Sequence, residues 1–315
     1  MTRVLVTGAT GFVGRHLCTT LVEHGYAVRA AVRTAEGAAA YERVAVGEID
    51  SHTDWGAALD TVDVVVHLAA RAHVLRGSDS LDSYTRTNAL GTQRLAAEAA
   101  SRTVRRFVYL STVKVNGERT DERAFTASDE PHPEDAYGVS KWLGEQYLRE
   151  IAARTRMQAV IVRAPLVYGP GARANFLRLM QLVDKGLPLP FGAIRNRRSL
   201  VNIWNLQDLL VNVLTNEPAA GRTWMVSDGD DLSTPQLVQR LATALDRKVK
   251  LVAVPVSVLR GCAAVIGARA AIARLCDSLT VDIATTRADL AWSPPVSMSE
   301  ALARTAHWYR AQTAP

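Results

Sequence analysis

The fold of this 315-residue chain is decided by Val4-Leu5-Val6-Thr7-Gly8-Ala9-Thr10-Gly11-Phe12-Val13-Gly14. An apolar run leads into three glycines with the spacing GxxGxxG, and the spacing predicts a strand, a tight turn and the first turn of a helix. Glycines permit close backbone approach, and the free N–H groups and positive dipole end of a helix N-terminus bind phosphate. The stretch therefore predicts a dinucleotide site formed by Gly8, Thr10, Gly11, Phe12, Val13 and Gly14.

Strand-like and helical patterns alternate along the first half of the chain. The strand-like runs lie at residues 3–7, 28–32, 62–68, 106–110 and 158–163. The run at 62–68 is almost continuously apolar, which is typical of a central parallel strand covered on both faces. This order predicts an α/β protein with a Rossmann doubly wound parallel sheet.

The pattern changes after residue 165, where Pro and Gly clusters alternate with helical runs. Helices are predicted at 176–185 and 205–215, and an amphipathic helix at 297–310. We expect a dinucleotide-binding domain over 1–165, to which 200–225 return. Residues 166–315 then form mainly a smaller, interleaved C-terminal substrate-binding portion.

Composition and charge argue against several classes of protein. The net charge of +6 comes from basic residues scattered among acidic ones, so we expect no nucleic acid partner. Three cysteines without CxxC spacing and seven histidines without metal-ligand spacing indicate neither a disulfide framework nor a metal site. No signal-peptide pattern follows Met1, and we expect a reduced, cytoplasmic protein.

Residues 255–276 form the most membrane-like stretch. Arg260, Arg269 and Arg274 interrupt it, and its apolar runs fall short of the roughly 20 residues that span a bilayer. We predict a packed, Ala-rich helix here and no membrane span.

The end of the second strand bears on the choice of cofactor. NAD-selective sites usually carry an acidic residue there for the ribose hydroxyls, whereas this strand ends in Val32-Arg33. An arginine can bind a 2′-phosphate, so NADP(H) is favoured and NAD stays possible; alternatively Arg33 is a solvated charge. Glu48 and Ile49 are predicted to flank the adenine, although a surface Glu48 is equally compatible with the pattern.

Tyr137-Gly138-Val139-Ser140-Lys141 forms a YxxxK pattern at the start of a predicted helix. Tyr137 and Lys141 then lie one turn apart on one face. A phenol has a pKa of about 10, and a neighbouring ammonium favours its ionised form, so the pair suits proton transfer at neutral pH. Ser111 and Thr112 end the preceding strand, where a hydroxyl faces the cofactor crevice.

Over nearly its whole length the sequence resembles the extended short-chain dehydrogenase/reductase family, which comprises nucleotide-sugar epimerases, dehydratases and reductases. The resembling segments are TGATGFVG at 7–14, HLAA at 67–70, LSTVKVNG at 110–117, YGVSK at 137–141 and RAPLVYGPG at 163–171, together with Asn88 and Gly91-Thr92. The resemblance implies that an NAD(P) cofactor and a UDP-sugar are bound.

The resemblance also implies roles for single residues. Thr112, Tyr137 and Lys141 form the catalytic set, with Thr112 on the sugar oxygen; Asn116 departs from the family's Tyr. The implied cofactor contacts are Leu68, Ala69, Ala70, Asn88, Ser111, Tyr137, Lys141, Pro165 and Leu166. The implied substrate contacts, besides Thr112, are Asn175, Arg198 and Arg274. His73 follows the HLAA segment, and we interpret it as a hydrogen-bonded loop histidine.

Members of this family differ in chemistry. Dehydratases carry Asp-Glu directly after the catalytic threonine, whereas this chain has Val113-Lys114, so dehydration lacks its proton carriers. Residues 174–180, 186–208 and 226–234 resemble reductases that make UDP-N-acetylquinovosamine. With Arg33, they favour NADP(H)-dependent reduction of the C4 ketone of a UDP-4-keto-6-deoxy-N-acetylhexosamine.

Two alternatives remain open. One is a UDP-hexose or UDP-N-acetylhexosamine 4-epimerase with tightly bound NAD, and the other is a non-catalytic NADP-binding sensor. The helices predicted at 92–102 and 136–153 resemble those that form a four-helix interface in relatives, so we expect a homodimer.

Overall fold

The computed structural model describes residues 1–35, 40–72, 80–102, 104–265 and 267–313. Within these residues the strands are β1 Arg3–Thr7, β2 Ala27–Val32, β3 Glu42–Ala45, β4 Val64–His67, β5 Arg106–Thr112, β6 Gln158–Ala164, β7 Leu166–Tyr168, β8 Leu200–Asn202 and β9 Thr223–Met225. Seven of them form one parallel sheet in the order β3-β2-β1-β4-β5-β6-β9. Because every pairing in this sheet is parallel, the carboxyl ends of all seven strands lie at one edge.

The helices of the described residues are α1 Phe12–Glu23, α2 Leu81–Thr85, α3 Gly91–Ala100, α4 Ala136–Ala153, α5 Ala174–Asp184, α6 Ile203–Thr215, α7 Thr234–Leu245, α8 Val256–Val265, α9 Arg269–Cys276, α10 Ala284–Leu290 and α11 Met298–Thr313. A π-helical turn, Arg86–Leu90, joins α2 to α3, and 3-10 turns lie at Val113–Val115 and Glu217–Ala219.

Side chains alternate between the two faces of the sheet and bury an apolar layer on each. Val4 and Val6 pack with Leu17 of α1 and Leu209 of α6, whereas Leu5 belongs to the opposite layer. That second layer contains the inner sides of α3 and α4. Every residue of β4 is buried, as a central strand requires. The predicted α/β class and doubly wound parallel sheet are confirmed.

The elements of the C-terminal half contribute to two apolar cores. α5, α7 and α11 pack around a separate apolar cluster beside the two-stranded sheet β7-β8. α6 and β9 instead join the large sheet, where β9 pairs with β6. The chain therefore passes between the sheet and the smaller core more than once.

One expected element is wrong. Residues 255–276 do not form a single packed helix, because α8 ends at Val265 and α9 begins at Arg269. Gly267 between them has a φ of +70°, which a helix interior does not allow. α9 has no fully buried residue. No helix of the described residues is long and apolar enough to cross a membrane.

Candidate active site

The glycine loop connects β1 to α1 at the carboxyl edge of the sheet. Gly8 has a φ of +68°, and a Cβ there would lie 2.8 Å from the Ala69 nitrogen. A Cβ on Gly14 would lie 2.1 Å from the Gly8 carbonyl oxygen. Gly11 is the N-cap residue of α1, and no side chain of the described residues caps this end of the helix. The close-packed turn thus leaves first-turn N–H groups of α1 for an anionic ligand, which fits a dinucleotide pyrophosphate.

A buried hydrogen-bonded chain supports the wall opposite this loop. The Ala69 N–H donates to Thr7 Oγ1 at 3.1 Å, and Thr7 Oγ1 lies 2.7 Å from His67 Nδ1. His67 Nε2 lies 3.0 Å from Thr92 Oγ1 on α3. Burial, and secondarily the charge of Lys141, lowers the pKa of His67 to about 3. His67 is therefore a neutral residue that links β1, β4 and α3 and holds the loop at Leu68, Ala69 and Ala70.

The opposite end of the expected cofactor crevice is more open. Arg33 follows β2 directly and is exposed, as is Glu48. Ile49 packs against α3, where a Cβ on Gly91 would lie 2.7 Å from the Ile49 side chain. The structure thus places a cation and a carboxylate at the side expected for the adenosine.

The first turn of α4 carries the tyrosine of the YxxxK pattern. The Gly138 N–H donates to Asp135 Oδ1 at 2.7 Å, so the Asp135 carboxylate caps the helix. The Tyr137 ring packs edge-on against Tyr84 of α2, with ring centroids 6.2 Å apart. Lys141 is 1% exposed, and its Nζ lies 3.8 Å from the centre of the Tyr109 ring. We find no hydrogen-bond acceptor for this ammonium in the described parts of the chain, which fits a role in holding a polar ligand.

Burial dominates the electrostatics of the pair. It lowers the pKa of Lys141 to about 7, although the Glu145 carboxylate acts in the opposite direction. Burial, followed by the charges of Asp135 and Tyr84, raises the pKa of Tyr137. The expectation that Lys141 lowers the pKa of Tyr137 is thus not met in this arrangement. The ammonium faces the Tyr109 ring instead.

Thr112 and Ser111 lie at the end of β5, but their hydroxyls differ in direction. Thr112 Oγ1 accepts from the Lys114 N–H at 3.3 Å at the start of the 3-10 turn, and Thr112 is 8% exposed. The Ser111 hydroxyl donates to Glu145 Oε1 at 2.5 Å in the interior. Thr112 thus remains the hydroxyl at the sheet edge, and Ser111 helps to hold α4 against β5.

Lys114 is bound by two carboxylates beside the catalytic turn. Its Nζ donates to Glu118 Oε1 at 2.7 Å and to Asp135 Oδ2 at 2.6 Å. Burial alone would lower the pKa of Lys114, but these two hydrogen bonds outweigh it and raise the pKa. Lys114 is therefore a fixed cation, and it is not a base for dehydration.

Sequence reasoning missed a buried ion pair behind the catalytic residues. Glu145 lies one turn after Lys141 and is fully buried, and its carboxylate accepts from Arg163 Nε at 3.0 Å and from Nη2 at 2.7 Å. Arg163 Nη1 donates to Asn116 Oδ1 at 3.0 Å, which explains what the departing residue Asn116 does here. The available signal was an arginine inside a buried strand, because a buried charge requires a partner.

Asn88 is placed by the π-helical turn and is fully buried. Its side chain bonds the Arg71 backbone at 2.8 and 3.0 Å and the Ser140 hydroxyl at 2.9 Å. It therefore joins the segment after β4 to α4. Pro165 is buried, and Leu166 beside it is 40% exposed, an unusual exposure for a leucine at the carboxyl edge of the sheet.

The predicted substrate residues lie in the C-terminal half. Arg198 Nη1 donates to the Asp277 carbonyl at 3.0 Å. Burial lowers the pKa of Arg198, Asp277 and Glu118 oppose this effect, and Arg274 adds to it. Arg198 and Arg274 are therefore close enough to repel each other, an arrangement that an anion would relieve. Asn175 is exposed on the first turn of α5. His73 lies outside the described residues.

No group of three potential metal ligands occurs in the parts of the chain that the structure describes. The candidate site consists of the glycine loop, the Thr112-Tyr137-Lys141 set and the arginine pair, which is formed by Arg198 and Arg274.

Comparisons with known proteins match this chain to a family and to individual relatives. The family model described as the NAD dependent epimerase/dehydratase family matches residues 4–227. A UDP-glucose 4-epimerase from Vibrio cholerae is 42% identical over 308 residues, 96% of this chain and 94% of the relative. The N-acetyl-alpha-D-glucosaminyl-diphospho-ditrans,octacis-undecaprenol 4-epimerase of Escherichia coli O157:H7 is 28% identical over 80% of this chain and 75% of its own length.

A solved structure gives the same result for the fold. MoeE5 in complex with UDP-glucose and NAD superimposes with a TM-score of 0.80 at 25% sequence identity, covering 99% of this chain and all of that chain.

Proposed function

The chain belongs to the NAD dependent epimerase/dehydratase family, and on this premise we propose that it is a nucleotide-sugar 4-epimerase. The proposed substrate is a UDP-hexose or UDP-N-acetylhexosamine, whose configuration at C4 is inverted with a tightly held NAD. The observation that carries the proposal is Tyr137, one helical turn from the buried Lys141 and at the same sheet edge as the glycine loop.

The epimerase takes precedence over the C4-ketone reductase that Arg33 and the C-terminal segments favour in the sequence. The 42% identical relative is named as a UDP-glucose 4-epimerase and matches this chain over nearly its whole length. Neither the epimerase nor the reductase includes a dehydration step. The hydrogen bonds of Lys114 to Glu118 and Asp135 agree with both functions in this respect.

NAD, when bound, supplies the acceptor and donor of the C4 hydride. We propose that Tyr137 takes the proton from the sugar O4 and returns it to the same atom, so that the reaction needs no external acid or base. Thr112 donates a hydrogen bond to O4 and holds it near the phenol. Lys141, one helical turn away, binds a ribose hydroxyl of the cofactor.

The remaining predicted residues are assigned to binding of the cofactor or of the substrate. The glycine loop holds the pyrophosphate, the segment 68–70 and the residues Pro165 and Leu166 line the nicotinamide half, and Asn88 positions these walls. Arg198 and Arg274, with Asn175, hold the UDP diphosphate. Residues 1–165 with the return at 200–225 bind the dinucleotide in this proposal, and 166–315 mainly bind the nucleotide sugar.

The preference between NAD and NADP is part of the proposal. NAD is assigned because the solved neighbour with UDP-glucose contains it, while the exposed Arg33 would also accept a 2′-phosphate. Mass spectrometry of the cofactor released from freshly purified protein distinguishes the two. Recovered NAD supports the epimerase, and recovered NADP supports the reductase.

Activity is tested without added cofactor. We expect the purified protein to interconvert UDP-glucose and UDP-galactose, or the corresponding N-acetylhexosamines, without net change in absorbance at the NAD(P)H wavelength. Oxidation of NADPH with a UDP-4-keto-6-deoxy-N-acetylhexosamine, in the absence of any interconversion, would reinstate the reductase.

A further inference from the structure

Two segments outside the catalytic set concentrate the positive charge of the molecule. Residues 185–198 contain four basic residues and residues 247–276 contain six, and neither segment contains Asp or Glu. The whole chain has 37 basic and 31 acidic residues, so the rest has 27 basic and 31 acidic residues and a net charge of −4. All of the net positive charge of this protein therefore comes from these two segments, and the expectation that the basic residues are scattered among acidic ones is wrong there.

The two segments lie side by side in the fold. The Leu189 N–H donates to the Lys250 carbonyl at 2.9 Å, and the Val252 N–H donates to the Leu189 carbonyl at 2.8 Å. The Gly192 N–H donates to the Val252 carbonyl at 2.9 Å. We call the surface formed by residues 185–198 and the described residues of 247–276 the basic-apolar face.

This face also exposes apolar side chains. Of the eight large hydrophobic residues that are exposed within the described residues, four lie here: Leu187 at 57%, Val252 at 41%, Val258 at 50% and Val265 at 88%. On α8 the exposed positions Val258, Gly261, Cys262 and Val265 follow the spacing of one helical face, and the opposite side buries Leu259 and Ala263. This side of α8 is thus apolar, and the exposed polar residues Ser257 and Arg260 lie outside it on the same helix.

The basic side chains of the face differ in whether they already have an acidic partner. Arg247 forms an ion pair with Asp184, and Arg260 forms one with Asp277. We find no ion pair for the exposed residues Lys185, Lys248 and Lys250 within the described chain. These are also the chain's only lysines besides Lys114 and Lys141 of the catalytic region.

We propose that the basic-apolar face binds the surface of a bilayer that contains anionic phospholipids. Lysines attract such a surface and extend their ammonium groups to the headgroups, while exposed valine and leucine side chains enter the boundary of the acyl chains. The exposed hydrophobic residues of this face include no aromatic ring, so the stacking that single-stranded nucleic acid uses is missing among them. Arg198 and Arg274 belong to the same two segments, so docking brings the arginine pair close to the lipid surface.

Vesicle co-sedimentation tests this proposal with the full-length protein. We expect binding to vesicles of phosphatidylcholine and phosphatidylglycerol in a ratio of about 7:3, weaker binding at high salt, and little binding to phosphatidylcholine alone. Lys248→Glu/Lys250→Glu should weaken the partition coefficient about tenfold or more, and Val258→Asp/Val265→Asp should do the same through the apolar contribution.

The matched controls lie elsewhere on the molecule. Arg105→Glu/Arg156→Glu reverses two exposed charges before β5 and β6, and Val22→Asp changes an exposed valine on α1. Both controls should bind vesicles like the wild type, and all variants should retain their thermal unfolding midpoint and their activity on dissolved UDP-glucose or UDP-galactose.

Three outcomes would overturn the proposal. The first is a wild type that does not bind the anionic vesicles. The second is equal binding of the face variants and the controls. The third is a fall in solution mass on Val258→Asp/Val265→Asp, with no change in vesicle binding, which would assign the face to contact between copies of this chain.

Discussion

Lys141 combines a catalytic position with an unfavourable environment. The residue is 1% exposed, its ammonium lies over the Tyr109 ring, and burial lowers its pKa to about 7 from the ordinary 10.5. Between these values the unfolded chain binds a proton that the folded chain has lost, so stability rises with pH across this window. Below about pH 7 the folded protein must bury the charge.

Replacing Lys141 with Met should therefore stabilise the protein while it removes activity. We expect the free energy of unfolding of Lys141→Met to exceed that of the wild type by about 1 to 3 kcal/mol at pH 6, and the excess to decline as the pH rises towards 10. Denaturant titrations of both proteins at several pH values measure this difference in the free energy of unfolding. Lys185→Met, at an exposed lysine, is the control and should show no such trend; a pH-independent difference for Lys141→Met would refute the burial argument.

Tyr137 tests catalysis against the non-catalytic sensor. Tyr137→Phe removes only the hydroxyl that carries the proton, so kcat should fall by a factor of about 10² to 10⁴. Dinucleotide content and thermal stability should persist. Tyr147→Phe on the same helix, away from the first turn, should retain full activity. Equal epimerase rates for Tyr137→Phe and the wild type would remove the main support for an enzyme.

At the scale of elements, the Glu145-Arg163 pair joins α4 to β6, and the Ser111 hydroxyl joins the same carboxylate to β5. Glu145→Gln keeps the shape and leaves the Arg163 charge without its counterion. We expect a loss of about 3 kcal/mol in unfolding free energy by chemical denaturation. Glu150→Gln removes an exposed partner of Arg154 on the same helix and should cost less than about 1 kcal/mol. Similar losses for both variants would contradict the bridging role.

The turn between β1 and α1 gives a second test at this scale. Gly14→Ala would place a methyl group 2.1 Å from the Gly8 carbonyl oxygen. We expect a loss of stability of about 1 to 3 kcal/mol and loss of the co-purified dinucleotide. Gly261→Ala on α8, where a Cβ meets no atom within 4 Å, should be neutral or stabilising. Retention of the cofactor by Gly14→Ala would show that the cradle does not depend on this close packing.

The elements also show how far sequence reasoning reaches. Five of the nine strands of the described residues and the glycine turn could be predicted because periodicity and glycine spacing are local properties, and β1 begins and ends where the pattern predicts. The pairing of Arg163 with Glu145 and the approach of Arg274 to Arg198 depend on how separate segments pack, which no local pattern reports. The prediction of a packed helix at 255–276 is wrong for the same reason, since an apolar sequence does not reveal whether another element covers it.

For the whole molecule, the expected homodimer remains a prediction. The outer sides of α3 and α4 form a shallow groove that includes Gln93, Ala97, Tyr147 and Ile151. Ala97→Arg would place a bulky charge in it and should convert a dimer to a monomer by light scattering. Conversely, a wild type that is monomeric at micromolar concentration would rule out the homodimer.

One protein molecule is expected to oxidise and reduce the same C4 with its own retained cofactor. The most direct measurement follows UDP-glucose and UDP-N-acetylglucosamine, each labelled with deuterium at C4 and incubated with the protein and no added nicotinamide. We predict that at least one of them gives its C4 epimer with the deuterium retained at C4, because the label leaves and returns within a single site. Absence of both epimers, or an epimer that carries hydrogen at C4, would contradict the account.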